Sequence, residues 1–539
     1  MLPKILTIIT ATVLLSVPKS SAQLLIDNAT FFVQSGATVT VNGDLTSNVN
    51  IQGTGKVLLA GTTNQNVNVN GFTIPNLEIN NTSNATLTGN ARIGTNLNFV
   101  NGKIVLADFN MKFASTANGT GGGVSKFLET TGTGQAQLEV AADIPGGTPF
   151  IFPVGSGTDF MPLAVYNTGS TYSSAVIGVQ NKGVADPNKH PRTESFLTTY
   201  WPITKTGITG GTTNAVGTYV DPSRVTGTEA DLRGIYWDGT NWSLTGGSQD
   251  AALNTAGANA TASSGKIYAM NKFILANMKA FLQAPYNTGT SLMDDKLRNS
   301  GAYVVGTLPA SNLLPLTDPY RTATYSTSFP HVANATAETI ASSVLNDKVT
   351  ASKNVVDWVY LELRNTSAVP TTVLQTRSAL LLRDGSIVDV DGVSSVYFKN
   401  VDAGTFNVAV RHRNHLGLRT GTAASLALLS SPAVTDLTTN ANTLSGFGAL
   451  LATGVYGMYA GNVNLNTNVR VSGGSPALSD IEQLKVIMGA LPIINNVYSP
   501  GDVHMNRVVR ISGGSTTLSD FEYIKSILGV LPLINQPIY

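Results

Sequence analysis

From residue 24 to about 118, apolar side chains fall on alternate positions in short runs. These are Ala37-Thr-Val39-Thr-Val41, Asn48-Val-Asn50-Ile51, Gln65-Asn-Val67-Asn-Val69, Asn76-Leu77-Glu-Ile79 and Asn96-Leu97-Asn-Phe99. A period of two sends successive side chains to opposite faces of a strand, so each run predicts a strand with one buried face and one wet face. Turn residues close the runs at Asn42-Gly43, Asn70-Gly71, Gly89, Gly94 and Asn101-Gly102. Such repetition predicts a short β-solenoid or a β-meander, in which each turn buries its inward Val, Ile or Leu against the next.

The pattern changes after residue 124. Phe150-Ile-Phe-Pro-Val154, Leu163–Val165, Ala175–Val179, Tyr200–Ile203, Gly217–Val220 and Gly234–Trp237 read as strands. The last is followed by Asp238-Gly239 and Trp242–Leu244, a hairpin signal. This predicts an antiparallel β-sandwich over 124–275. A second sandwich is expected over 277–432, where Val355-Val-Asp-Trp-Val-Tyr-Leu-Glu-Leu363, Ser378–Leu382, Ile387–Asp391, Val396–Phe398 and Phe406–Arg411 supply strands.

The strongest internal signal lies in residues 433–539. Gly461–Asn496 and Gly501–Gln536 are copies offset by 40 residues, identical at 20 of 36 positions. Each runs from a loop of alternating polar residues, through Ser-Gly-Gly-Ser, to a helical segment. Ser479 with Glu482, and Ser519 with Glu522, have the spacing of capping boxes, which satisfy the free N–H groups of a helix start. Ile481, Leu484 and Met488 share one helical face, as do Phe521, Ile524 and Leu528, and Gly489 and Gly529 are natural helix stops.

Composition narrows the function. The 539 residues include 33 Lys and Arg, 32 Asp and Glu and no Cys, for a net charge of +1. A near-neutral chain argues against nucleic acid or an anionic membrane as partner. Without Cys there is no disulfide, no thiolate-bound metal and no cysteine nucleophile. The charge deficit is uneven. Residues 24–118 hold only Asp27, Asp44, Lys56, Glu78, Arg92, Lys103, Asp108 and Lys112, whereas 281–420 holds 23 charged residues. Residues 1–22, with Lys4, an apolar stretch from Ile5 to Val17 and Ser20-Ser21-Ala22, read as a secretory signal peptide. That apolar stretch is shorter than the ~20 residues a membrane span needs. No transmembrane segment is expected, and the mature protein is expected to be secreted, extracellular or on the cell surface.

The duplicated loop and helix resemble the calcium-loop module of dockerins. The resemblance implies oxygen ligands at alternating loop positions, which here are Asn462, Asn464 and Asn466, then Asp502, His504 and Asn506, with Asp480 and Asp520 beyond the Gly-Gly insertion. The pattern departs from the family at Thr467 and Arg507, where a glycine is expected, and in its shortage of carboxylates. A weak calcium site and a purely structural repeat are both open. More broadly, Phe150–Gly155, Phe281–Tyr286, Leu313–Tyr320, Val355–Trp358 and Val408–Gly417 resemble secreted multi-domain surface proteins, haemagglutinin-like, of gliding Gram-negative bacteria. That resemblance implies export and a surface or matrix role. The fold class expected is therefore mainly β: a signal peptide, a solenoid or meander over 23–118, two antiparallel sandwiches and a small α-containing, dockerin-like C-terminal duplication.

Catalytic signatures are absent: there is no Gly-x-Ser-x-Gly, His-Glu-x-x-His or phosphate loop. Trp237 and Trp242 are candidates for a glycan-stacking platform, with cross-strand packing as the alternative. Arg411-His412-Arg413-Asn414-His415 could gather a metal only if the chain turns at Asn414. Two functions are carried forward. One is a non-enzymatic surface or matrix protein that binds neutral glycans or sister subunits, as a homo-oligomer, filament or layer. The other is a polysaccharide-degrading enzyme, or its accessory subunit, docked through the C-terminal module and using Asp389, Asp391 or Glu362.

Overall fold

The computed structural model describes residues 23–366, 372–402, 404–426, 433–446, 448–473, 478–513 and 518–536. The expected leader, 1–22, and part of each Ser-Gly-Gly-Ser segment (474–477 and 514–517) lie outside these residues. The protein is mainly β, with a solenoid of about five turns over 24–129, further β-sheets and two short C-terminal helices. Two compact units divide it, one comprising residues up to Thr240 with Leu244–Met270, the other Asn241–Ser243 with Asn271 onward.

In the first unit the alternating runs become the turns of the solenoid. Leu24–Ile26, Leu45–Ser47, Gln65–Asn68, Ala85–Leu87, Ile104–Val105 and Leu128–Glu129 stack in parallel as one wall. Thr38–Val41, Lys56–Leu59, Thr73–Asn80 and Ala91–Asn101 form another, with Leu58 opposite Glu78 and Glu78 opposite Asn98. Inward positions are sealed: Val57, Leu59, Leu77, Ile79, Ile93 and Leu97 are all buried. The small rise between turns leaves no room at the corners. Gly102 sits at φ +82, where a Cβ would fall 1.8 Å from the Asn81 carbonyl oxygen.

The solenoid continues past residue 118 directly into antiparallel pairing. Ala136–Val140 lies parallel to Met111–Phe113 on one side and antiparallel to Leu163–Val179 on the other. The boundary expected between 118 and 124 is thus crossed by a continuous hydrogen-bonded sheet. Leu163–Val179 and Trp201–Thr218 are long partners, and Thr255–Asn259 and Ser264–Asn271 extend the sheet.

In the second unit, Val355–Arg364 is the central strand, flanked by Val373–Leu382 and Gly404–Arg411. The sequence alternation suggests one wet face, but every residue of this strand is buried. Its polar residues stay buried because they pair: Glu362 accepts from Arg364 at 2.8 Å and from Arg411 at 3.0 Å. The two repeats each form a helix, α1 (Asp480–Met488) and α2 (Asp520–Leu528), and both capping boxes are complete. Ile493–Asn495, after α1, pairs with Val508–Arg510 in the second loop. Leu533–Asn535, after α2, pairs with Asn468–Arg470 in the first. This reciprocal exchange encloses a core of Val463, Val469, Leu484, Val503, Val509 and Ile524 that also includes Leu416 and Ala460.

One buried amide ties the solenoid corners together. Gln65, 1% exposed, accepts from Gly61 N and Asn81 Nδ2 and donates to the carbonyls of Val41 and Gly43. Replacing it with Leu keeps the volume but strands these partners, each unsatisfied group costing about 1–3 kcal/mol. Gln65→Leu is therefore expected to lower stability by about 3 kcal/mol or more, read from urea unfolding followed by circular dichroism.

Candidate functional site

The outward face of the solenoid wall is a ladder of polar side chains. Thr40, Glu78, Asn98 and Thr120 occupy one row across successive turns, interrupted by the apolar Leu58 between Thr40 and Glu78, and Asn76, Asn96 and Asn118 lie on the neighbouring row. A groove of about 400 Å³ runs over this face, lined by Thr38, Lys56, Asn76, Glu78, Asn96 and Asn98. Its two charges cancel. Lys56 Nζ donates to Glu78 Oε1 at 2.9 Å, and Asn98 Nδ2 donates to Glu78 Oε2 at 2.9 Å. Burial pushes the Glu78 carboxyl up, but these two bonds outweigh it and hold it below its ordinary value. Asn76 uses its amide hydrogens on the carbonyls of Thr54 and Gly55, leaving its oxygen to the groove. Asn96 accepts from Thr120 at 3.3 Å through its oxygen and keeps its amide hydrogens. Adjacent turns thus offer an acceptor and a donor.

The loops of the C-terminal repeat are organised by main-chain N–H groups. Asp480 Oδ1 accepts from Val463 N at 2.8 Å and Asn464 N at 3.2 Å, and its Oδ2 from Arg470 N at 2.8 Å. Asp520 does the same for Val503, His504 and Arg510. Asn462 Oδ1 accepts from Asn466 N, while Asp502 accepts from Asn506 N and Arg507 N. Asn464 Nδ2 donates to the Leu478 carbonyl, and Asn466 and Asn506 cap the N–H groups two residues on. The carboxylates that a calcium loop would aim at the ion are spent on N–H donors. No group of three or more acidic or histidine side chains among the described residues is placed to share a metal. The residues present do not fit a calcium site in this arrangement. Arg507, at φ +79 where glycine is expected, is held in that conformation by its N–H bond to Asp502 and by its guanidinium on the Lys296 carbonyl.

A buried cluster joins this module to the central strand of the second unit. Arg413 donates through Nε to Asp357 Oδ2 at 2.9 Å and through its guanidinium to the Ser499 carbonyl. Asn414 Nδ2 donates to the Asp502 carbonyl at 2.7 Å. Tyr498 donates its hydroxyl to Asp357 Oδ1 at 2.7 Å, and its ring lies 4.4 Å from the Arg413 guanidinium. Burial opposes the Asp357 charge, but Arg413, His412 and Tyr498 together hold its carboxyl below the ordinary range. The strand ends at Arg411, and the turn beyond brings His412 Nδ1 within 3.1 Å of His415 Nδ1. His412 Nε2 faces Asp357, and His415 Nε2 accepts from Ala284 N. Burial pushes both imidazoles below their ordinary pKa. Their nitrogens are used within the protein.

The other sequence candidates are separated. Trp242 is 6% exposed and Trp237 half-buried, so Trp242 offers little ring surface to a sugar. Asp389 and Asp391 do not share a strand face, because the strand ends at Val388. Asp389 accepts from Val390 N and Tyr397 N, while Asp391 accepts from Val393 N and Ser394. Short Asp side chains bond to the backbone just ahead of them in this way at turns. The sequence reading missed Asp357, Arg413 and Tyr498 as partners, since 141 residues separate Asp357 from Tyr498. The only local signal was the basic cluster at 411–415. No protein-family model, curated protein or solved structure matches this chain.

Two measurements check the loop chemistry. Burial pushes the Asp480 carboxyl up to about 7, against the pull of Arg470, Asn464 and Val463 N–H. A carboxyl raised in the fold contributes stability fully below its unfolded value near ~3.9, and loses it as pH rises toward 7. The deficit of Asp480→Asn relative to wild type is expected to be largest near pH 4 and smaller at pH 8. A deficit that grows with pH would mean that the carboxylate stays charged. In calorimetry of the full chain, millimolar calcium is expected to give no saturable heat.

Proposed function

We propose that the protein acts by adhesion, not catalysis, as a secreted surface or matrix protein whose solenoid ladder binds a neutral polysaccharide. The observation that carries this reading is the ladder itself: an exposed sheet face with unspent amide groups on adjacent turns, and a groove whose Lys56 and Glu78 neutralise each other. A charged polymer finds no compensating patch there. A neutral one finds hydrogen-bonding groups on adjacent turns, at the strand spacing of about 4.8 Å. The carboxylates available for glycosidic chemistry, Glu362, Asp389 and Asp391, are each committed to internal partners, which weighs against the enzymatic alternative. The C-terminal module shares its core with Leu416, which weighs against its serving as a detachable docking tag. The resemblance to exported surface proteins agrees with this role. No helix among the described residues is long and apolar enough to cross a membrane.

Affinity electrophoresis in gels cast with neutral glucan, mannan or xylan tests the reading. At least one polymer is expected to retard the protein. The double substitution Asn76→Ala with Asn96→Ala is expected to weaken retention about tenfold, two hydrogen bonds being worth roughly 1–3 kcal/mol together. Retention by anionic polymers alone, or retention indifferent to both substitutions, would refute it.

A further inference from the structure

A cleft of about 790 Å³ in the second unit lies between the segment Pro315–Ser328 and the C-terminal repeat. That volume falls within the range of small-ligand sites. On the repeat side its wall includes Tyr498, Pro500, Leu465 and, from α1, Gln483. The facing segment supplies hydroxyls, among them Thr317 and Thr324. One charged side chain lines it, Asp318, and that carboxylate is turned away: Oδ1 accepts from Tyr320 N, and Oδ2 lies 3.5 Å from both Arg321 Nε and His331 Nε2. The cleft therefore presents no unbalanced charge to a ligand.

Tyr498 distinguishes this cleft from a passive gap. Its hydroxyl is tied to Asp357 and one face of its ring rests on the Arg413 guanidinium, yet the side chain is only half-buried and lines the cleft. The ring is held from below and from its tip, so a partner stacking on it pays little in rotor entropy. Nearby, the carboxamide of Gln483 and the hydroxyls of Thr317 and Thr324 carry no hydrogen bond among the described residues. A preorganised aromatic face beside free neutral donors and acceptors matches a sugar ring, which has an apolar face and a hydroxylated edge. An ionic ligand would lack a counter-charge, and a purely apolar one would strand the amide and hydroxyl groups.

We propose that this cleft is a second binding site, for a short neutral oligosaccharide stacked on Tyr498 and hydrogen-bonded to Gln483, Thr317 and Thr324. It does not depend on what the ladder binds. The same chemistry at two places would let one chain hold both a polymer and a free chain end or side branch.

The test uses the full chain and hexasaccharides of glucose, mannose and N-acetylglucosamine, followed by saturation-transfer NMR and calorimetry. At least one hexasaccharide is expected to bind saturably. Gln483→Ala should weaken that binding about fivefold, the worth of one neutral hydrogen bond. Gln483→Trp, which fills the mouth from the helix surface without touching the buried cluster, should abolish it. Asn76→Ala with Asn96→Ala should leave it unchanged. Circular dichroism melts confirm that the Gln483 variants remain folded. Absence of binding at millimolar concentration, or binding that survives Gln483→Trp, would overturn the proposal. Hexasaccharide binding that disappears only in the Asn76 and Asn96 variant would overturn it while leaving the ladder reading standing.

Discussion

Backbone pairing between successive solenoid turns is the constraint from which the first unit follows. Each turn must present its N–H and C=O groups to the next at about 4.8 Å, in a register that returns every 18 to 24 residues. Side chains then have only two destinations. Inward positions meet the same position of the adjacent turn and must be apolar, or like Gln65 must satisfy every polar atom internally. Outward positions line up as rows, so a preference for Asn and Thr repeated in sequence becomes a ladder in space. The low charge of residues 24–118 has the same origin, because like charges on stacked turns would repel at short range. Where charges do occur on the face, Lys56 and Glu78 pair.

The second unit solves a different problem. Its central strand is covered on both faces, yet it carries Asp357, Glu362 and Arg364. A buried carboxylate is tolerable only when charge and hydrogen bonds surround it. Arg413, His412 and Tyr498 do this for Asp357, and because Tyr498 and Ser499 belong to the link between the two repeats, the same bonds fasten the C-terminal module in place. Stability and the shape of the neighbouring cleft thus share one set of interactions. Loss of Arg413 would leave the Asp357 carboxyl buried without its guanidinium partner.

The repeat itself is organised by its own side chains. Position by position the loops alternate polar and apolar residues, but the acidic residue at each helix start folds back onto loop N–H groups. Both oxygens of that carboxyl accept from loop N–H groups, and so the side chain gathers the loop from within the chain. Asn462 of the first copy stands where the second has Asp502, and each accepts from the loop N–H four residues on.

Much of this was legible from residue order. The alternation of 37–41, 65–69 and 96–99, the turn glycines and the Ser–Glu capping pairs each depend on neighbours within a few residues, so the sequence specified the strands and both helices and left a solenoid or a meander open, between which the structure shows the solenoid. It did not reveal that the strand at 355–364 is buried on both faces, since alternation reports one covered face and not what covers the other. Nor did it place His412 beside His415, which needed a turn that no glycine or proline marks. The tryptophans drew attention as rare, large rings, whereas the ring that lines a cleft is Tyr498, an ordinary residue in a short link. Local periodicity determined which elements form and which face of each is apolar. Only the tertiary structure decided which polar residues meet, because Asp357, Arg413 and Tyr498 converge through strand pairing and burial across distances over which sequence carries no pattern.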